Sequence, residues 1–295
     1  MTRIVHTADG RRLTVDERGD RNGLPVFLMH GTPGSRLGPL VRSTVLHRVG
    51  ARLICFDRPG YGDSDRLAGR AVSDVAADVA AIADAYGFDR FAVVGRSGGG
   101  PHALACAALL PERVIKAAVL VSLAPHNAEG LDWFAGMTPG NVEAYTQALV
   151  DPAGLAASIV PKALRIRDDP ASLFDTITDG LSLSDLQVIT DRGLRSLLTT
   201  SYAAAVSRSA DGWIDDALAF CAPWGFDPAD IAAPVLLWHG ADDRFSPVSH
   251  TRWLAGRIRS ATVAVQAGAS PFSAFPVFPR VLSWLAGPAM WDTAI

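Results

Sequence analysis

A glycine-rich hexapeptide, Gly95–Gly100 (Gly-Arg-Ser-Gly-Gly-Gly), constrains the fold of this chain more than any other sequence feature. It follows a short apolar run, Phe91–Val94, which is typical of a strand buried on both faces of a sheet. It precedes a helical pattern rich in alanine and leucine, His102–Leu110. Glycines two positions before and two after Ser97 leave room for a serine held on a sharp turn. The pattern therefore predicts a strand, a tight turn that exposes Ser97, and a helix whose first N–H groups face the serine.

Short apolar runs alternate with helical patterns over residues 1–123 and again after residue 230. This rhythm predicts the α/β class, with a mostly parallel, twisted sheet and helices on both of its faces. An Asp9-Gly10 turn is expected to join the first two strands in a hairpin. The predicted strands are Arg3–His6, Arg12–Asp16, Val26–Met29, Arg52–Phe56, Phe91–Val94, Ala117–Leu123, Val235–His239 and Thr262–Gln266. The predicted helices are Val72–Tyr86, His102–Leu110, and two near Ser249–Gly256 and Val277–Leu285.

Residues 124–230 contain no clear buried-strand run, and helical patterns dominate there. These are Val142–Val150, Ala203–Ser207 and Trp213–Phe220. We therefore predict a helical cap, 124–230, inserted into a core domain formed by 1–123 and 231–295. Within it, Trp133 and Phe134 belong to an apolar stretch that lines the substrate pocket or forms the core of the cap.

Composition excludes several classes of function. The chain has 295 residues, 49% of them hydrophobic, which is enough for one large core. A net charge of -3 and a pI of about 6.1 argue against a nucleic-acid or membrane-surface partner. The polar amino terminus and the absence of a long apolar run predict a soluble cytoplasmic protein. No histidine–carboxylate cluster has metal-ligand spacing, and no dinucleotide or Walker motif is present, so we expect neither metal nor cofactor.

Four segments carry a family resemblance. His30–Gly34 matches an oxyanion loop, Asp57–Ser64 matches the turn D-x-P-G-x-G-x-S, Gly95–Pro101 matches a nucleophile elbow, and His239–Asp243 matches the segment that carries a catalytic acid. On these residues the chain resembles the α/β-hydrolase superfamily. The resemblance is to the branch that contains proline iminopeptidase-like and epoxide hydrolase-like proteins.

The resemblance implies a role for several residues. Ser97 would be the nucleophile, and the backbone N–H groups of Gly98 and Thr32 would form the oxyanion hole. The family spacing of glycine, acid and proline (Gly240, Asp243, Pro247) selects Asp243 rather than Asp242 as the acid. His30 and His102 are expected to be structural.

The resemblance fails at the third member of the triad. The family places a histidine after the last strand, but that position falls on Ala269, Ser270 or Pro271, and no histidine follows His250. We expect His250 itself to point to the surface. His126 follows the strand Ala117–Leu123 and is either a relocated base that reaches Ser97 or a polar residue at the cap entrance.

Three functions follow from this incomplete triad. The first is a serine hydrolase that acts on a small or medium organic ester, lactone or amide. The second is a non-hydrolytic cyclase, lyase or isomerase of secondary metabolism that uses the same pocket. The third is a catalytically silent ligand-binding protein. All three predict a small, apolar molecule as the partner, and the sequence does not predict the oligomeric state.

Overall fold

Eight strands form one sheet in the order β1-β2-β4-β3-β5-β6-β7-β8. The computed structural model describes residues 2–38, 41–177, 181, 183–288 and 291, with backbone alone for 175–177, 183, 184 and 188. The β1–β2 and β2–β4 pairs are antiparallel, and the other five pairs are parallel. This confirms the predicted fold class. The strands are β1 Thr2–His6, β2 Arg12–Gly19, β3 Leu24–Met29, β4 Ala51–Phe56, β5 Phe91–Arg96, β6 Val114–Leu120, β7 Val235–Gly240 and β8 Ala261–Gln266.

Helices cover both faces of the sheet. Those in the described residues are α1 Ser43–Val49, α2 Val75–Tyr86, α3 Gly99–Leu109, α4 Pro139–Val150, α5 Pro152–Asp168, α6 Ser172–Ile177, α7 Leu183–Ile189, α8 Arg192–Ala205, α9 Asp211–Cys221, α10 Val248–Arg257 and α11 Ala274–Ala286. Along β3, Phe27 and Met29 pack under α2 and α3, whereas Val26 and Leu28 pack against α1 and α11. Because alternate residues of a strand point to opposite faces, the continuous apolar run is buried on both sides.

The six helices α4–α9, which we call the helical insertion, lie between β6 and β7. Five of them, α4, α5, α6, α8 and α9, share an apolar cluster that includes Leu155, Ile159 and Ala217 and is joined by Tyr61 of the loop after β4. The division into a core domain (1–123, 231–295) and a cap (124–230) stays a prediction.

The structure departs from the sequence-based expectation at a strand, β6, and at a helix, α5. The strand predicted over Ala117–Leu123 runs instead from Val114 to Leu120. Lys116 lies within it because its ammonium group donates to the carbonyls of Trp284, at 2.8 Å, and Gly287, at 2.7 Å, at the end of α11. Helix α5 was not predicted because Pro161 reads as a helix breaker, yet the helix continues through it.

The turn after β5 depends on very close backbone packing. A Cβ atom on Gly95 would lie 2.1 Å from the carbonyl oxygen of Gly99, and one on Gly99 would lie 2.1 Å from that of Met29. Both contacts are with backbone atoms, which cannot move away by a change of side-chain rotamer. The start of α3 can therefore approach β3 and β5 only because these positions are glycine.

Substitution Gly95→Ala is expected to destabilise the protein by roughly 3 kcal/mol or more, because the new methyl group overlaps backbone atoms. The matched control is Gly256→Ala in the exposed part of α10, where a Cβ meets nothing within 4 Å. That change is expected to stabilise by about 0.4–1 kcal/mol. Urea unfolding of both variants tests this, and similar midpoints for the two would contradict the packing argument.

Candidate active site

Ser97 occupies the corner between β5 and α3. Its φ angle is 53°, in the left-handed region that non-glycine residues seldom adopt. Its N–H donates to the carbonyl of Leu120 at 2.8 Å, and its own carbonyl accepts from the N–H of Gly100 at 2.8 Å. These bonds maintain a backbone conformation that costs on the order of 1–3 kcal/mol. Ser97 is partly exposed.

Two backbone N–H groups beside Ser97 have no acceptor among the described residues. One belongs to Gly98, a buried residue directly before α3. The other belongs to Thr32, in the loop after β3. The two residues are in close contact, because a Cβ on Gly98 would lie 2.2 Å from Thr32 Oγ1. Unpaired N–H groups beside a reactive hydroxyl can stabilise an oxygen that gains negative charge.

A buried carboxylate, Asp216 of α9, holds the Thr32 loop in place. Asp216 is completely buried and lies at the centre of a polar cluster. Its oxygens accept hydrogen bonds or ion pairs from Thr32 Oγ1, Tyr61 Oη at 2.7 Å, Arg58, Arg70 at 2.7 Å and His102 Nε2 at 3.3 Å. The helical insertion is therefore joined to the oxyanion loop through one side chain.

Electrostatics keeps this cluster in one protonation state. Burial alone would raise the pKa of Asp216, but Arg58 and Arg70 outweigh burial and hold that pKa well below its ordinary value. Burial, with Arg58 nearby, lowers the pKa of His102 to about 4 and lowers the pKa of His30 well below its ordinary value. Both histidines are therefore neutral near pH 7. His30 donates to the Gly31 carbonyl through Nδ1 at 2.8 Å and accepts from the Arg58 N–H through Nε2 at 3.1 Å.

Asp243 lies on the loop after β7 and is 4% exposed, whereas its neighbour Asp242 is exposed. One carboxylate oxygen accepts from the N–H groups of Phe245, at 2.8 Å, and Ser246, at 3.0 Å. The other, Oδ2, is buried and has no hydrogen bond to any described residue. His239 Nε2 lies 3.4 Å from it but bonds the Ser246 carbonyl at 2.6 Å. This oxygen is thus an unused acceptor.

Polar groups bind the segment 269–271, where the family resemblance predicts a histidine. Ser270 is completely buried, and its hydroxyl donates to the carboxylate of Asp185 in α7. The same carboxylate oxygen accepts from the Phe272 N–H at 3.2 Å. Arg96, which directly precedes Ser97, donates from Nη2 to the Pro271 carbonyl at 3.3 Å. The Asp185 carboxylate, from the helical insertion, and the Arg96 guanidinium therefore both bind the loop after β8.

His126 follows β6 and is partly buried. Its ring packs edge-on against Trp133 and Phe134, with centroid distances of 5.2 and 5.9 Å. Across the part of the chain that the structure describes, no imidazole nitrogen is within hydrogen-bonding distance of Ser97 Oγ. The role of His126 as a base stays a prediction that requires a shift of its loop or an intervening molecule.

His250 is not at the surface, and the expectation from sequence is wrong at this position. It is completely buried, accepts from the Ala124 N–H through Nδ1 at 3.0 Å, and bonds the Trp133 carbonyl through Nε2 at 3.0 Å. The helical pattern did not reveal that α10 packs under the loop after β6. His250 ties both ends of that loop together, and burial lowers its pKa to about 4.

Trp133 and Phe134 form an aromatic cluster beside His126. Trp133 is 4% exposed and its indole N–H donates to the Ala124 carbonyl at 2.8 Å. Phe134 is partly buried, and neither ring lines the two cavities described next. A role in substrate binding stays a prediction for both.

Two neighbouring cavities lie next to α8 and α11. The smaller, of about 40 Å³, is bordered by the end of β3, the oxyanion loop, Arg96, α8 and α11. The larger is an apolar groove of about 530 Å³ between α1, α8 and α11. Phe275 and Phe278 line both.

Sequence reasoning missed Asp216 and Arg96. Asp216 stands in an ordinary helical pattern, and its partners are more than 100 residues away in sequence, as with His102 at a separation of 114. Arg96 lies inside the elbow motif, so its position was a signal, but nothing local showed where its guanidinium would point.

The strand order, the positive-φ serine and the paired N–H groups define an α/β-hydrolase-fold protein. The family model described as "alpha/beta hydrolase fold" matches residues 25–275, so this chain belongs to that family. The chain is 30% identical over 249 residues to a non-heme chloroperoxidase of Streptomyces lividans, covering 82% of this chain and 83% of the relative.

The chain is also similar to a further curated relative and to a solved structure. A 2-hydroxy-6-oxo-2,4-heptadienoate hydrolase of Pseudomonas putida is 29% identical over 235 residues, 77% of this chain and 74% of its own length. A solved hydrolase from Pseudomonas aeruginosa superposes with a TM-score of 0.70 at 18% identity, over 96% of both chains. That similarity shows the fold alone.

A search of the described residues for metal sites and membrane spans found neither. No group of three or more His, Cys, Asp or Glu side chains there could hold a metal ion. None of the helices described is both long and apolar enough to span a bilayer.

Stability is expected to fall with acidification because of His250. Its pKa is about 4 in the folded chain against an ordinary 6.5. Between pH 6.5 and pH 4 the unfolded chain binds a proton on His250 that the folded chain does not. The contribution of His250 to the free energy of unfolding is therefore complete above pH 6.5 and falls by about 3 kcal/mol toward pH 4. His250→Gln, which can make both hydrogen bonds, should reduce the slope of unfolding free energy against pH by this contribution, leaving that of His102, whose pKa is also about 4. The exposed His47→Gln is the control, and identical slopes for the two variants would contradict this assignment.

Asp216→Asn is expected to cost about 3–5 kcal/mol, because it leaves the buried Arg58 and Arg70 without their counter-ion. Asp84→Asn breaks the exposed ion pair with Arg113, whose atoms are 2.8 Å apart, and should cost less than about 1 kcal/mol. Urea unfolding at pH 7 measures the loss in free energy of unfolding for each variant. Equal losses would show that the Asp216 cluster stabilises the fold no more than the exposed ion pair does.

Proposed function

We propose that the protein is a serine hydrolase acting on the carbonyl group of a small or medium organic ester, lactone or amide. The observation that carries this proposal is the partly exposed Ser97 with φ of 53°, beside two amide N–H groups that lack an acceptor in the described structure. This strained arrangement has no evident use in folding. It suits an oxygen that becomes negative during attack on a carbonyl.

The proposed reaction begins with attack of Ser97 Oγ on the carbonyl carbon. The carbonyl electron pair moves to oxygen, which the N–H groups of Gly98 and Thr32 stabilise, and the hydroxyl proton passes to His126. Collapse of the intermediate breaks the bond to the leaving alkoxide or amine, which takes that proton. Water then repeats the sequence on the acyl-serine, returning a carboxylic acid and free Ser97. Asp243 contributes negative charge behind the site.

Proton transfer limits this enzyme. Removing the histidine of a serine protease costs about 10⁶-fold in rate. The elbow and oxyanion hole alone retain about 10³–10⁴-fold over the reaction in water. We therefore propose slow hydrolysis, whose rate depends on how often His126 comes within reach of Ser97.

A second candidate is a non-hydrolytic reaction in the same pocket. It is favoured by the absence of any imidazole bonded to Ser97 in the described structure, while both amide donors are in place. In such a cyclase, lyase or isomerase the amide groups would polarise a substrate carbonyl, and no acyl-serine would form. A silent ligand-binding protein is the third possibility. In each case we propose an apolar small molecule as partner and the cytoplasm as the location.

A fluorophosphonate probe tests the nucleophile. We expect one label per chain on Ser97, identified by peptide mass spectrometry, and no label on Ser97→Ala. If His126 is the base, His126→Ala should slow labelling by about 10²-fold or more, because general-base catalysis contributes that much. The exposed His47→Ala is the matched control and should label at the original rate.

The opposite results distinguish the alternatives. A folded protein that does not label at Ser97 refutes the serine hydrolase. Turnover of a carbonyl substrate that survives Ser97→Ala supports the non-hydrolytic enzyme. Labelling that is unchanged in His126→Ala removes His126 from the mechanism while leaving Ser97 in it.

A further inference from the structure

The guanidinium of Arg96 has no described carboxylate in ion-pair contact, although Asp243 and Asp185 are near enough to favour its charged form. Its Nη2 donates to the Pro271 carbonyl at 3.3 Å, and the Tyr202 hydroxyl interacts with it. Its Nε is buried without a hydrogen bond, and no described carboxylate forms an ion pair with it. The ring centroid of Phe275 lies 4.2 Å from its central carbon. Burial lowers the pKa of Arg96, but a guanidinium starts so high that it stays charged.

This cation lines the cavity of about 40 Å³, and the other polar groups there are also donors. Ser35, Ser201 and Tyr202 contribute hydroxyls, and none of the described residues that line the cavity is acidic. His30 has both ring nitrogens engaged and is neutral. A positive charge with several hydroxyls and no acid favours an anion over a cation or a neutral amine.

The size and position of the cavity define which anion fits. One water needs about 10–15 Å³ on this measure, so the cavity admits a group of a few heavy atoms, such as a carboxylate. A Cβ built on Gly31 would lie 3.5 Å from Arg96 Nη1 and 3.6 Å from Ser97 Cβ. Arg96 Nη1 and Ser97 Cβ therefore both lie beside Gly31, which lines the cavity although Ser97 itself does not.

The apolar remainder of the ligand has its own space. Phe275 and Phe278 line both this cavity and the larger groove, whose other walls include Leu194 and Leu197. A chain that leaves the cavity past these two rings enters an apolar channel.

From this geometry we infer that the ligand carries a carboxylate, bound by Arg96 with help from Tyr202, and an apolar chain that extends along Phe275 into the groove. Such a molecule is the substrate class of the proposed function. Only its being a substrate, rather than a bound ligand, rests on that function.

Binding of hexanoate to the Ser97→Ala protein tests the inference without any chemistry at the serine. Isothermal titration should show hexanoate binding at least about tenfold tighter than the neutral hexanamide, since a charge-assisted hydrogen bond is worth one to two orders of magnitude. In the double variant Ser97→Ala/Arg96→Met, hexanoate affinity should fall by about tenfold or more while hexanamide affinity is unchanged. Arg90→Met, which removes an exposed cation, is the charge-matched control and should bind hexanoate normally.

A second variant separates binding from folding. Tyr202→Phe removes one hydroxyl and should weaken hexanoate by a few-fold with an unchanged melting temperature. The inference is overturned if hexanoate binds no better than hexanamide, if it does not bind, or if Arg96→Met and Arg90→Met have equal effects. Failure of Ser97 to label would refute the proposed function but leave a positive hexanoate result intact.

Discussion

The close backbone packing at the end of β5 determines the geometry of everything around Ser97. Gly95 lies against the Gly99 carbonyl, and Gly99 lies against the Met29 carbonyl. With no side chain between them, α3 begins directly at the rim of the sheet, and the serine between strand and helix is forced to positive φ. The same packing brings the N–H of Gly98 beside the hydroxyl. One steric arrangement therefore positions both Ser97, the proposed nucleophile, and the Gly98 N–H, the proposed first oxyanion donor.

The position of Thr32, whose N–H is the proposed second donor, depends on electrostatics rather than on sterics. Thr32 is held by Asp216, a buried carboxylate from the helical insertion that is paired with Arg58 and Arg70. A buried charge cluster of this kind gains little stability over apolar packing, but it permits few alternative arrangements. The oxyanion loop is thus coupled to α9, and the shape of the site depends on where the helical insertion packs.

Fixed charges bind the segment 269–271, where the family resemblance predicts a histidine. Ser270 donates to Asp185, and Arg96 donates to the neighbouring Pro271 carbonyl. A guanidinium attracts anions but does not exchange protons near neutral pH. Because the buried Oδ2 of Asp243 has no hydrogen bond in the described structure, we propose that the site is better suited to polarising a carbonyl than to moving a proton.

Local patterns determined the strands, the elbow and the choice of Asp243 over Asp242 as the candidate acid, because strand burial, turn sterics and motif spacing act over a few neighbouring residues. The buried position of His250, the Asp216 cluster and the direction of Arg96 were decided only by tertiary structure. Arg58 and Asp216 are 158 residues apart, and Ser270 and Asp185 are 85 apart. No local pattern encodes such pairs, because each side chain acquires its partner only when distant segments pack together and exclude water from between them.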